Sequence, residues 1–419
     1  MADNSFSCDF KITNLSYPDN KTTKISIMEK AVKSFIFVED LESMYITGQI
    51  EILDTGGVFE TLEMTGNEKF EITITVYEDD GVEKFKDLVF DIFNISSVPT
   101  DNPKFNMYKF TLAEEGLNRL SDRRYSKSYK DESVSSILED ILKNQLGIDR
   151  YDIESTTNKI DFISPYWAPI TSLRYLLRLA KGTKGSGFIF FSNLKGEDNH
   201  EVQKNIISLE SLLAEPSKQG DSDIYYLKMY HISPHYKNLI IDYKNVSLGS
   251  KREQRKNFNG KTYLGVDFHK NKEILTSSKT LDDFISKSTF LGEATNVEKN
   301  KNEALSEVTF RGYQTKDLLD VESDYWFRMG SEKLNVREIL CSGNFGRWAG
   351  KVIHIEEATD VTSDISGTHI QLTGNWLIKK IVHVIQGDLS YSQKITLIKD
   401  SFQEMSNKTD FKSITKKNI

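Results

Sequence analysis

The chain has 419 residues, more than one hydrophobic core usually serves, so two to four domains are expected. Its composition is 38% hydrophobic, 28% charged and 11% aromatic, which supplies apolar material for packed cores and excludes a disordered chain. A net charge of -8 opposes general or stable nucleic-acid binding, which needs clustered Lys and Arg to displace counterions from phosphates.

Cys8 and Cys341 lie far apart without CxxC spacing, so neither a disulfide framework nor a thiolate zinc site is indicated. No basic stretch followed by an apolar one opens the chain, and no run of about 18 apolar residues occurs in it. Neither a signal peptide nor a membrane-spanning segment is therefore expected.

Residues 10–120 read as strands and turns. Segment 32–38 (VKSFIFV) is rich in β-branched and aromatic residues, Glu39 and Asp40 interrupt it, and 45–53 (YITGQIEIL) resumes period-two alternation before the turn at 54–57. Segment 70–76 (FEITITV) alternates again, and 88–98 and 108–112 flank a loop-like stretch at 99–104. A first β domain over residues 1–120 is expected.

The pattern then changes period. Val134, Ile137, Leu138, Ile141, Leu142 and Leu146 recur at helical spacing, with Asp131 as the predicted cap and Gly147 as the stop. A second helix is predicted from Thr171, after Pro169, to about Gly182, leading through residues 182–187 into a strand at 188–191. Residues 121–215 thus read as a small α/β insertion domain.

Strands return from residue 224, clearest at 238–243, until a basic run at 251–256 opens a polar section. Residues 251–325 hold few apolar clusters and are predicted as an irregular insertion without a large core. Strands are predicted again at 325–329, at 352–355 and onward to 397. Residues 216–250 and 326–402 would compose a second β domain, with 403–419 a loosely ordered polar tail.

The two β regions end alike. Phe90, Ile92, Ile95 and Val98 precede Phe110-Thr111-Leu112, while Trp376, Ile378, Ile381 and Val384, at the same spacing, precede Ile395-Thr396-Leu397. The intervals from Val98 to Phe110 and from Val384 to Ile395 differ by one residue. Two readings stay open: ordinary likeness among β hairpins, or two similar β domains in one chain whose core these eight residues mark. On the second reading a trimer presents six similar units around an axis.

No residue is assigned to catalysis, to a cofactor or to a metal. Residues 182–187 (GTKGSG) follow a helix and precede a strand, the reverse of a phosphate-binding loop, and read as a turn. His231 and His235 have helical ligand spacing, but Pro234 lies between them; His354 and His383 lie in alternating apolar stretches, where strand positions are commoner than ligands, and His369 is the third that could converge with them. The 62 acidic residues single out no carboxylate pair, and no GxSxG elbow occurs. Candidate partner contacts are Trp167, between Pro165 and Pro169, and the basic residues Lys251, Arg252 and Arg255.

Several stretches together resemble a known family. The helix at 134–146, followed by Phe162-Ile163-Ser164-Pro165-Tyr166-Trp167-Ala168-Pro169, a second helix and Gly187-Phe188-Ile189-Phe190-Phe191, looks like its α/β insertion. Gly343-Asn344 with Gly350-Lys351-Val352-Ile353-His354-Ile355 resembles a turn and strand of its second barrel, segment 376–402 is similar to its closing hairpin, and Phe35 to Leu41 agrees too. The family is the central hub subunit of T-even-like contractile phage tails, related in architecture to the hub part of type VI secretion spike proteins.

The resemblance implies a mainly β, α+β chain of two similar antiparallel tube-like barrels with the two insertions. It further implies a homotrimer forming a pseudo-sixfold ring with a channel for DNA, between a hexameric tail tube, or tube-initiator protein, and a trimeric spike. No oligosaccharide-binding barrel or needle follows the hairpin before Ile419, so a separate central spike protein is expected, along with baseplate wedge proteins as partners and the virion, assembled in the host cytoplasm, as location. An acidic chain suits a lumen that passes DNA without holding it. The alternatives are a cell-wall hydrolase of the tail and a carbohydrate-binding β protein of host attachment.

Overall fold

Alternating apolar residues make strands whose inner face supplies the core, and β3 (Val32–Asp40) is the clearest case. It buries Val32, Phe35, Phe37 and Glu39 and turns the residues between them toward solvent. The structure, a computed structural model, describes residues 6–16, 21–27, 29–55, 57, 59, 68–77, 83–98, 105–195, 202–214, 224–227, 240–248, 261–267, 273–279, 307–313, 316–331, 335–357, 374–387 and 390–399.

The first β unit adds β1 (Phe6–Ser16), β2 (Lys21–Ile27), β4 (Thr47–Asp54), β5 (Lys69–Tyr77), β6 (Glu83–Val98) and β7 (Asn106–Glu114). All pair antiparallel along the path β3-β4-β7-β6-β5-β1-β2. Phe10, Phe35, Phe37, Phe70, Phe90 and Phe110 fill its core, with ring pairs such as Phe35–Phe37 at 5.2 Å and Phe70–Phe110 at 5.5 Å.

The insertion comprises α1 (Leu117–Asp122), β8 (Tyr125–Ser133), α2 (Val134–Asp140, prolonged by a π turn over Ile141–Leu146), β9 (Tyr151–Ile153), β10 (Lys159–Trp167), α3 (Pro169–Leu179), β11 (Phe188–Asn193), β12 (Gln203–Ser208) and α4 (Leu209–Ala214). The six apolar residues read as one helical face are all buried, and Gly147 ends the helix at φ 68. The cap is Ser133 rather than Asp131: its hydroxyl accepts from the Ser136 amide at 3.2 Å, while Asp131 lies in β8 at φ 53. Helix α3 starts two residues before the expected Thr171, because Pro169 suits the first helical position, where no amide donor is needed, and it ends at Leu179, before the expected Gly182.

The second β unit is β13 (Ile224–Leu227), β14 (Ile240–Leu248), β18 (Asn335–Ser342), β19 (Val352–Glu357), β20 (Gly374–Gln386) and β21 (Tyr391–Lys399). Its core gathers Tyr225, Ile339, Ile353, Ile355, Ile395 and Leu397 around Trp376. One edge of β20 carries β21; the other carries β19 at its start and β3 at its end, which fuses both units into one 13-stranded sheet. The described chain is mainly β, and among the described residues the pairing path runs from β14 to β2 without closing on itself.

Two expectations are corrected. Residues 251–325 are not irregular throughout: β15 (Lys261–Asp267), β16 (Glu273–Lys279) and β17 (Glu307–Tyr313) form a small sheet, covered by α5 (Lys316–Ser331), with Tyr263, Leu275 and Leu319 buried against Trp326. The strand expected at 325–329 is the second half of α5, and the boundary expected between 325 and 326 falls inside it. The aromatic run Tyr325-Trp326-Phe327 has strand propensity, but Leu319, Ser323 and Trp326 recur at helical spacing on the face that meets β15 and β16, and that packing selects the period.

The glycine-rich loop has a packing role. Glu210 of α4 and Arg328 of α5 form a buried ion pair at 3.5 Å, and a Cβ on Gly185 would come within 2.8 Å of the Glu210 carboxyl carbon. Burial pushes the Glu210 carboxyl up to about 7, although Arg328 pulls it back. A folded-state value raised above the unfolded one gives stability that is full below the unfolded value of 4.5 and lost as pH rises through 7. The melting temperature is expected to fall over that window, by the equivalent of roughly 3 kcal/mol. Glu210→Gln should flatten that slope in thermal melts run from pH 4.5 to 8; an unchanged slope would contradict the assignment.

Candidate assembly interface

Five strands of one β unit correspond to five of the other, pair by pair. In the hairpin β6–β7, Ile92 faces Leu112 and Ile95 faces Phe110, with a one-residue bulge at Phe93; in β20–β21, Ile378 faces Leu397 and Ile381 faces Ile395, with the bulge at Lys379. Strand β4 adds to β7 as β18 adds to β21, Ile50 and Ile339 taking corresponding places. Strand β3 adds to β4 as β14 adds to β18, again with one matching bulge, at Lys33 and at Ile241. On the other side Phe70 of β5 faces Phe90 as Ile353 of β19 faces Trp376. A bulge shifts register by one residue and reverses every side chain after it, so bulges at matching places keep the same faces inside.

Of the eight hairpin positions read from the chain, Phe90, Ile92, Trp376, Ile378 and Ile381 are buried, Ile95 and Val384 are half-buried, and Val98 lies at the end of β6. Phe90 and Ile92 belong to the first core, and Trp376, Ile378 and Ile381 to the second.

The two units meet along β20 and β3, from Lys380 opposite Asp40 to Gln386 opposite Ser34. A fully buried carboxylate, Glu39, sits in this seam. Its Oε1 meets His383 Nε2 of β20 at 2.9 Å, and its Oε2 accepts from the Ala349 amide at 3.1 Å and from the Leu194 amide, just after β11, at 3.2 Å. The His383 ring stacks on Phe37 at 4.1 Å, and its Nδ1 meets the Tyr391 hydroxyl at 2.8 Å. Burial, reinforced by Glu39, holds that hydroxyl far above the ordinary phenol range, so it remains a donor. Gln393 continues the chain to Arg347, whose Nη1 donates to it at 2.9 Å and whose Nε donates to Tyr225 at 2.9 Å. A second buried pair, Lys204 of β12 with Glu114 of β7 at 2.7 Å, ties the insertion to the first unit. Burial pushes the Lys204 ammonium down to about 8 against the pull of Glu114.

No protein-family profile matches the chain, and no curated protein sequence matches it. Solved structures do. A tail protein from Neisseria meningitidis MC58 is 9% identical with a TM-score of 0.57, over 94% of this chain and 97% of that one. The 43 kDa tail protein of prophage MuSo2 from Shewanella oneidensis is 11% identical with a TM-score of 0.55, over 95% of this chain and 100% of its own. A chain of the PdpA-VgrG complex in its lidless form is 9% identical with a TM-score of 0.50, over 96% of this chain and 67% of that one. The chain shares its fold with phage tail proteins.

Within this tail-protein fold the remaining candidates are dispersed. Trp167, the last residue of β10, is half-buried, edge-on to Tyr175 of the following helix α3 at 5.9 Å, while its neighbour Tyr166, at positive φ, and Ile163 are more exposed. Lys251, Arg252, Arg255, His231, His235 and His369 lie outside the described residues. His354 bonds to Asn375 at 2.8 Å, apart from His383 and its network. The buried polar seam was missed, because Glu39 reads as a strand interruption and its partners lie up to 344 residues away. Glu39→Ala leaves two buried amides and His383 without their acceptor, and is expected to cost about 3–5 kcal/mol in urea unfolding. A loss below about 1 kcal/mol would show that the seam does not depend on it.

Proposed function

We propose that the chain is a non-enzymatic hub of a contractile-tail baseplate: a homotrimer whose two tube-like units, the one built on β1–β7 and the one built on β13, β14 and β18–β21, alternate around a central channel for DNA. The observation that carries this reading is the correspondence of β3-β4-β7-β6-β5 with β14-β18-β21-β20-β19, in pairing, bulges and buried faces. Two like units in one chain allow three chains to offer six like units, which is how a threefold spike can meet a sixfold tube. The likeness of fold to tail proteins supports a virion location and a role made of interfaces rather than of chemistry.

In this role one face of the ring takes the tail tube or its initiator, the other takes a separate spike protein, and the outer surface, including the insertion that carries Trp167, meets wedge proteins. The net charge of -8 disfavours retention of DNA in the channel. Light scattering on the purified chain should return three times the 48.0 kDa protomer mass, alone or on adding the spike protein. A monomer that persists at micromolar concentration with spike present would sink the proposal.

A further inference from the structure

We propose that β6 of one protomer pairs with β14 of a second copy of this chain, in the register that β20 uses on β3 within the chain. The inference deepens the hub reading and rests on it. Strand β6 corresponds to β20 and β14 to β3, so the seam inside the chain is a template for a seam between chains.

Both edges needed for that second seam are open among the described residues. Strand β5 covers β6 only from Glu83 to Asp91, and no described strand covers its far half, residues 92–98, on that side. The corresponding stretch of β20 is the one that holds β3. Strand β14 pairs with β18 on one edge and with no described strand on the other, the edge by which its counterpart β3 holds β20.

Apolar exposure falls on the same two strands: Phe93 is 47% exposed on β6, and Ile241 and Val246 are 61% and 53% exposed on β14. An unpaired edge bearing exposed apolar side chains is a template for another strand. The counterparts of Phe93 and Ile241 are Lys379, which ion-pairs with Glu42 at 2.8 Å, and Lys33. Charge therefore stands at these places around the seam within the chain, and apolar side chains around the seam between chains.

Carrying the register across places Val98 opposite Lys244 and Ser97 opposite Asn245, as Val384 faces Ile36 and His383 faces Phe37. Past the bulge at Val246, Ile95 falls opposite Leu248, where the internal seam has Ile381 opposite Glu39. The seam between protomers thus lacks the carboxylate and histidine that lock the seam within one. The contact is heterologous, each chain giving a β6 edge and taking a β14 edge, so it uses up both edges only when the ring closes.

The test is disulfide trapping in the full chain, whose native Cys8 and Cys341 are buried. V98C/K244C, mildly oxidised, should give covalent dimers and trimers on a non-reducing gel. S97C/K244C, slipped by one residue so that the thiols point to opposite faces, should give at least tenfold less. S97C/N245C serves as a second in-register pair, since Asn245 also accepts from Arg337 and its loss could disturb the fold. Trimers in light scattering with neither in-register pair trapped, or with the slipped pair trapped equally, would overturn the register while leaving the hub reading standing. Absence of any oligomer would overturn both.

Discussion

The Glu39 carboxylate is the constraint on which the rest of the architecture hangs. A buried carboxylate is costly unless each oxygen is bonded, and Glu39 finds its donors in three places: the second β unit's strand β20, the turn at Ala349, and the end of β11 in the insertion. None of these is near it in the chain. The bonds are complete only when both β units and the insertion have docked, so the residue acts as a check on assembly within one protomer. Apolar residues could fill the same volume, but they would tolerate a slipped β20–β3 register; a directional acceptor facing His383 does not.

The same seam explains how two β units become one surface. Because β3 and β20 are paired through the whole seam, the sheet runs on from the second unit into the first with fixed twist and spacing. In the proposed ring a rigid seam within the chain would set the angle at which the next copy arrives, which would link the polar lock at Glu39 to the shape of the ring. The insertion is held to this sheet by polar contacts, among them Leu194 on Glu39, Asn193 on Ala349 and Lys204 on Glu114, and by an apolar cluster in which Ile189, Phe191, Leu209 and Leu212 pack with Val352, Leu377 and Ile398.

What the amino-acid pattern revealed follows from range. Helix α2 and the hairpins β6–β7 and β20–β21 were legible because their signals, helical spacing at 134–146 and strand alternation, are written in consecutive residues. Even there the cap was misplaced by two residues, since Asp131 and Ser133 are equally good side chains and only the geometry of β8 decides between them. Helix α5 was obscured because three aromatics in a row carry strand propensity, and the helical face appears only when Leu318 and Leu319 are counted with them. The buried polar groups Arg347 and Lys204 were not legible, and Glu39 only weakly. Charged residues are expected at the surface, and what reverses that expectation is a partner far away in the chain. A weak signal for Glu39 did exist: it continues the buried parity of Phe35 and Phe37, so alternation alone placed it inside.

The central claim is that two like units per chain build a ring of six from three copies. Single-particle electron microscopy of the purified oligomer, averaged without imposed symmetry and viewed down the axis, tests it most directly. The account predicts a ring with a central channel whose inner wall has a strong sixfold component, with threefold features confined to the insertions outside. A ring whose inner wall is threefold only, or a particle with no channel, would contradict it.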